Sequence, residues 1–221
     1  MRPLPTLVVC AKYPDLFAGF RDSVERDSDC LKILVRDGTQ IPCPDGWATL
    51  TPGTPFNAAV YGNIGWRAAL DRDLIYCGDD IRFIEPHTIQ RLQKIAYEDE
   101  VVGMLSPKII GGAQTEQNIV SDHLRYATHF IGMMFAYLKR STIERVGYLD
   151  EDYVGFGYED VDYNKRIERA GLRIGLTGDV SVQHGFDELG HSTTFRRTQT
   201  WSELCAEAEE NGKRYESKHI R

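Results

Sequence analysis

Between Asp150 and Asp162 the chain packs Asp150, Glu151, Asp152, Glu159, Asp160 and Asp162 into thirteen residues, interleaved with Tyr, Phe, Val and Gly. A solvated acidic face carries Lys, Ser or Gln between its charges. Aromatic and glycine neighbours instead predict carboxylates held in a tightly turned, partly buried loop. Such burial is costly unless a cation or a proton compensates it, which points to metal binding or acid–base chemistry. A second acidic group, Gly78-Asp79-Asp80, follows the apolar run Leu74-Ile75-Tyr76-Cys77. At the carboxyl end of a strand such a pair can hold a divalent cation through oxygen, although an Asx-type turn uses the same residues. His184 closes a later apolar stretch, while His123 and His129 fit a polar surface segment. Arg196 and Arg197 can clamp phosphate oxygens bidentately, or form a solvated basic turn.

The elements that must position these residues follow from periodicity. Leu7 to Cys10 predicts a buried strand. Leu16 to Arg26, apolar at 16, 17, 20 and 24, predicts a helix, and Leu31 to Val35 a second strand closed by Arg36-Asp37-Gly38-Thr39. Strand, helix, strand at this spacing is a parallel crossover, and ligands of open parallel sheets bind at the strands' carboxyl ends. Lys12 to Pro14 and Asp37 to Thr39 would lie there. Residues 41–55 predict an irregular connection. Residues 56–70 predict a helix with 56, 60, 64 and 68 toward the core, whose Asn57 and Asn63 reach a ligand or a loop. Helices follow over 86–96, 139–146 and 161–170, strands over 101–110, 130–137 and from Gly171 toward His184, with a surface loop or edge strand over 114–129. The last helix, 198–218, carries Trp201, Leu204, Cys205, Ala208 and Tyr215 on its apolar side.

The 221 residues suffice for one large domain or two small lobes, and 42% hydrophobic with 27% charged residues is ordinary for a globular chain. No window approaches the roughly 20 apolar residues of a membrane span, and the N-terminus reads as a strand rather than a secretory signal, so the expected setting is cytoplasmic. A net charge of −7 argues against nonspecific nucleic-acid binding. The five cysteines form no CxxC pair and are expected to be reduced and mostly structural.

Several segments together resemble the family 2 glycosyltransferases, inverting enzymes of the GT-A fold, in their rhamnosyltransferase-like branch. Val35-Arg36-Asp37-Gly38-Thr39 resembles the family's VDDGS turn, and Asn57 to Ala68 its Asn-rich helix. Ile75 to Ile81 resembles its metal-binding strand end, and Ser106-Pro107-Lys108-Ile109 its GPKI segment. Gly132 to Arg140 with Val146 to Glu151 is similar to its G..M..RR…VGGFDE run. Tyr158-Glu159-Asp160-Val161-Asp162, Arg166, Ala170-Gly171 and Val182-Gln183-His184 are similar to its EDVDL…R…AG…V.H run, and Asn211 to His219 to its N..YF..K ending. Two positions depart: Arg36 stands where the turn often has its first Asp, and Gly78 where the first carboxylate of the DxD signature belongs.

The resemblance implies an α/β fold, a single Rossmann-like GT-A domain with a mostly parallel central sheet flanked by helices and a C-terminal helix. It implies a nucleotide-sugar-binding half (1–112), an acceptor and catalytic half (113–197) and a closing helix (198–221). The implied reaction moves a sugar from a nucleoside diphosphate, UDP favoured, to an acceptor hydroxyl, with Mn²⁺ or Mg²⁺ as cofactor. Asp160, with Glu159 beside it, would be the general base. Asp80 and His184 would be metal contacts. Lys12, Asp37, Asn57, Asn63, Asp79, Arg196 and Arg197 would bind the nucleotide-sugar. Nucleic acid enters only as an acceptor carrying a hydroxymethylated base, facing Arg125, Lys139, Arg140, Arg196 and Arg197. Two other classes compete: a non-catalytic nucleotide-sugar or carbohydrate-binding protein on the same fold, favoured by Gly78, and a nucleotidyltransferase, disfavoured because Cys10-Ala-Lys-Tyr-Pro is no phosphate loop.

Overall fold

A computed structural model of the chain describes residues 2–25, 27, 30–112, 114–185 and 199–220. The elements run β1 (Thr6–Ala11), α1 (Pro14–Val24), β2 (Lys32–Arg36), β3 (Ala48–Leu50), α2 (Ala58–Ala68), β4 (Leu74–Gly78), β5 (Ile81–Phe83), α3 (Thr88–Ala96), β6 (Val102–Ile110), α4 (Thr115–Ile119), β7 (Arg125–Tyr126), β8 (Phe135–Leu138), α5 (Arg140–Val146), α6 (Glu159–Arg169), β9 (Arg173–His184) and α7 (Trp201–His219). One sheet takes the order β3-β2-β1-β4-β8-β6-β9-β5, with β7 also on β9. Strands β3, β2, β1, β4, β6 and β9 run one way and β8, β5 and β7 the other. The sheet is therefore mostly parallel, as expected.

Period-two alternation in the buried strands builds a core on each face. Leu7 and Val9 pack with Phe17 and Phe20 of α1 and Ile89 and Leu92 of α3. Val8 and Cys10 face the other side, with Tyr61 and Trp66 of α2 and Tyr163 and Ile167 of α6. The α1 stripe buries Leu16, Phe17, Phe20 and Val24, as its spacing predicts.

On α2 the expectation fails: Ala59, Tyr61, Gly62, Asn63, Gly65 and Trp66 are buried, whereas Val60 and Ile64 are half-buried and Ala68 is exposed. Glycine decides this face. A Cβ at Gly65 would come within 2.2 Å of Val8 Cγ1, so the helix lies against β1 where its small residues are, not where its aliphatic ones are. Residues 130–134 are likewise not strand. The backbone of Ile131 is bonded by Asn164 (3.0 and 3.1 Å) and that of Gly132 by Gln117 (3.0 Å each way), which replaces ladder bonds until β8 begins at Phe135. In α7, Leu204 is buried, but Trp201 is 63% exposed and Cys205 lies on the exposed side as well.

Candidate active site

Parallel register brings the carboxyl ends of β1, β2 and β4 to one edge, with Ala11 opposite Arg36 and Cys10 opposite Gly78. The turn Gly78-Asp79-Asp80 emerges there. Asp79 Oδ2 accepts the backbone N–H groups of Lys12 (2.9 Å) and Tyr13 (3.2 Å), so this carboxylate ties the β1–α1 connection to the acidic turn. Asp80, 5% exposed, accepts Gly185 N–H on its carbonyl at 3.0 Å. Gly78 is explained by its neighbour: a Cβ there would sit 2.7 Å from Asp80 Oδ1. The absent first carboxylate leaves space that the second one uses.

Antiparallel pairing of β5 with β9 puts Ile81 opposite His184, and His184 Nε2 lies 3.5 Å from Asp80 Oδ2. Burial alone would lower the imidazole's pKa; the Asp80 carboxylate outweighs it, and the net shift is upward. The Gly111 backbone also favours the protonated ring, yet Nδ1 is buried without a hydrogen bond of ordinary geometry. It is Nε2, not the unsatisfied Nδ1, that faces the Asp80 carboxylate, and this carboxylate–imidazole pair suits a divalent cation such as Mn²⁺. Among the described residues no group of three or more His, Cys, Asp or Glu could close a metal site. The donor set therefore fits a cation that takes its other ligands from a bound phosphate or water.

The second acidic cluster belongs to α6. Gly155, Gly157 and Tyr158 all have left-handed backbone, with φ of 78°, 88° and 75°, and Tyr158 is the helix N-cap. This turn starts the helix at Glu159 rather than at Val161, so Glu159 and Asp160 occupy its first turn, where the helix dipole favours negative charge. Both are half-buried. Asp160 Oδ1 accepts Val161 N–H at 2.8 Å, and buried Asn164 holds the Asp160 carbonyl at 2.6 Å. Burial pushes both carboxyls upward, and for Glu159 the charge of Asp160 adds to it.

The two clusters share one cleft of about 760 Å³, whose lining includes Asp79, Asp80 and His184 together with Glu159 and Asp160. Phe56, Phe130, Met133, Met134, Phe156 and Trp201 add apolar wall to the same cleft. The chain's arrangement is similar to that of a crystal structure of GalNAc-T7 with UDP, GalNAc and Mn²⁺, at a TM-score of 0.66 and 14% identity. The match covers 86% of this chain and 45% of that one, so this chain spans less than half of that protein. The fold is GT-A-like. No family model and no curated protein sequence matches the chain.

Within this GT-A-like frame the other expected residues are placed as follows. Lys12 Nζ lies over the rings of Tyr13 (5.7 Å) and Phe56 (5.6 Å). Asp37 follows β2, its Oδ1 accepting Tyr61 Oη at 3.3 Å, outside the cleft wall formed by the described residues. Asn57 caps α2 through Val60 N–H (3.0 Å) and donates to the Tyr153 carbonyl (3.1 Å). Asn63 is buried, exchanging bonds with the Leu149 backbone (2.9 Å each way) and donating to Glu151 (2.8 Å). Both asparagines thus meet the acidic loop. Arg196 and Arg197 lie outside the described residues.

Three members of the expected basic surface are engaged by other groups of the chain. Arg125 pairs with Glu116 (2.9 Å) and Asp122 (3.3 Å), Arg140 with Glu144 (3.2 Å), and buried Lys139 donates to the Asp99 carbonyl (2.9 Å). No Lys or Arg among the described residues lines the cleft. Sequence reasoning did not single out Asn164 or Gln117, whose roles are contacts between segments distant in the chain.

Proposed function

We propose that the chain is an inverting, family 2-like glycosyltransferase that moves a sugar from a nucleoside-diphosphate sugar, UDP favoured, to an acceptor hydroxyl. The observation that carries this reading is the shared cleft, which holds a carboxylate–imidazole pair and a second carboxylate pair that meets no cation among the described residues. Asp80 and His184 would hold Mn²⁺ or Mg²⁺, which when bound stabilises charge developing on the leaving diphosphate. Asp79 fixes the β1–α1 connection; Lys12, over the cleft-lining Phe56, and Asp37, beyond the cleft wall, would meet a nucleotide that extends past that edge. Asp160 would take the acceptor's proton, with Glu159 as its neighbour. A base must reach the attacking hydroxyl from the face opposite the leaving group, so two separate acidic clusters lining one cleft suit such a transfer. A cleft with four carboxylates and without Lys or Arg among its described lining favours an uncharged acceptor over a polyanionic one.

No helix among the described residues is long and apolar enough to cross a membrane, and all five cysteines are free. A reducing, cytoplasmic setting fits the thiols.

The test is release of UDP, GDP or dTDP from matching sugar donors in Mn²⁺, screened against glycan, lipid and modified-DNA acceptors. Release that depends on an acceptor supports transfer. Donor binding without turnover on any acceptor favours the second reading, a non-catalytic nucleotide-sugar-binding protein, to which the missing carboxylate at Gly78 gives support.

A further inference from the structure

The loop that launches α6 is held from outside. Asn211 of α7 is 2% exposed and directs Nδ2 at the carbonyls of Val154 (3.0 Å), Phe156 (3.2 Å) and Gly157 (3.0 Å). One turn earlier on α7, Glu207 Oε2 accepts Phe156 N–H at 2.9 Å. One turn later, Arg214 donates to the Asp152 carbonyl (2.6 Å) and to Asn211 Oδ1 (3.0 Å). Gly212 lies against the ring of Tyr158, where a Cβ would approach its Oη to 3.1 Å. At Gly155 a Cβ would meet Glu207 Oε2 at 2.4 Å.

These contacts fall on and around the one non-glycine residue of the turn with left-handed backbone, Tyr158 (φ 75°), preceded by Gly155 and Gly157, which take positive φ at little cost. A left-handed tyrosine persists where surrounding contacts over-determine it. A neutral amide suits this position because it gives N–H donors to carbonyls that the turn points inward, without burying a charge. Leucine at 211 would leave those carbonyls without their donor. Glu159 and Asp160 directly follow Tyr158, so whatever fixes the turn fixes their direction into the cleft.

We infer that Asn211 is a positioning residue, which with Glu207 sets the 154–158 turn and through it aims Asp160 at the acceptor; the inference rests on Asp160 acting as the general base. Helix α7 is then part of the working site and not a cover for the sheet. In the full-length chain, Asn211→Leu is expected to lower kcat about 10- to 100-fold, the scale of a small misplacement of a reacting group. UDP affinity by calorimetry in Mn²⁺ is expected to stay within about twofold, and amide hydrogen exchange over 156–162 to accelerate at least about tenfold, as a locally opened segment does. Wild-type kcat and wild-type exchange in folded N211L would overturn the inference. Should N211L not unfold cooperatively, Glu207→Gln and Glu207→Ala decide instead. Gln keeps an acceptor for Phe156 N–H and Ala does not, so E207Q should turn over several-fold faster than E207A; equal rates overturn the inference. A wild-type protein that transfers no sugar removes the catalytic purpose of Asn211, and the exchange measurement separates that failure from failure of the brace.

Discussion

Asp150, Glu151, Asp152 and Asp162 meet partners from other elements, whereas Glu159 and Asp160, in the same thirteen-residue stretch, have no cationic partner among the described residues. Lys218 reaches Asp150 (2.5 Å) and Asp152 (2.9 Å) from α7. Asn63 and Arg67 of α2 reach Glu151 at 2.8 and 3.5 Å. Arg166 and His219 each stand 2.7 Å from Asp162. The energetic consequence is opposite in the two groups. At Asp150 burial would raise the pKa, but Lys218 outweighs it and the carboxyl is lowered; at Glu159 and Asp160 burial dominates and both are raised. Paired carboxylates make a scaffold, and unpaired ones facing a cleft make candidates for proton transfer.

The contrast breaks most sharply at Asp160. Asp160→Asn should cut kcat about 10²–10⁴-fold, the usual worth of a general base, with UDP affinity unchanged by calorimetry; wild-type turnover would remove it as the base. In the scaffold group the loss should appear as stability instead. Asp162→Ala leaves Arg166 and His219 facing an empty, nearly dry position, and denaturant unfolding should register a loss of about 3 kcal/mol. Asp80→Ala belongs to the other acidic cluster of the cleft. It should weaken UDP binding at least about tenfold, or about 1.4 kcal/mol, in Mn²⁺ and leave metal-free binding as it was, which titration with and without the ion reads directly.

The pH dependence sharpens the same comparison. A base works deprotonated, so raised carboxyls put the acid limb of kcat/KM above the ordinary carboxylate range. Between the unfolded and the raised folded pKa the native state holds protons that the unfolded chain has released, and stability falls as pH rises through that window. Glu159→Gln should therefore gain thermal stability over wild type at pH 8 and lose that advantage near pH 4, measured by melting at both. The smallest effect is expected at Lys218→Ala, whose partly exposed pairs should yield no more than about 1 kcal/mol.

The elements were legible wherever burial followed periodicity. The stripe at 16, 17, 20 and 24 is the buried face of α1, and the Leu7 to Cys10 run is β1 between two covered faces. Periodicity failed at α2, because close approach at Gly62 and Gly65 turns on absent atoms that a hydrophobic pattern does not weigh. It also failed at 130–134, where side chains of Gln117 and Asn164 replace a strand partner. The short elements β3, β5, α4 and β7 carry too few residues for a period to show.

Residue types and local spacing determined that two acidic clusters exist, that one ends a strand and that the other leads into a helix, because chain-local preferences depend on neighbours a few positions away. Tertiary structure decided which carboxylates remain available. The partners of Asp150, Glu151, Asp152 and Asp162 come from α2, α6 and α7, and all but Arg166 lie far along the chain. Asp80 meets His184 through a strand pairing across more than a hundred residues. Charge compensation acts through space, so folding decided that Glu159 and Asp160 would be left facing the cleft.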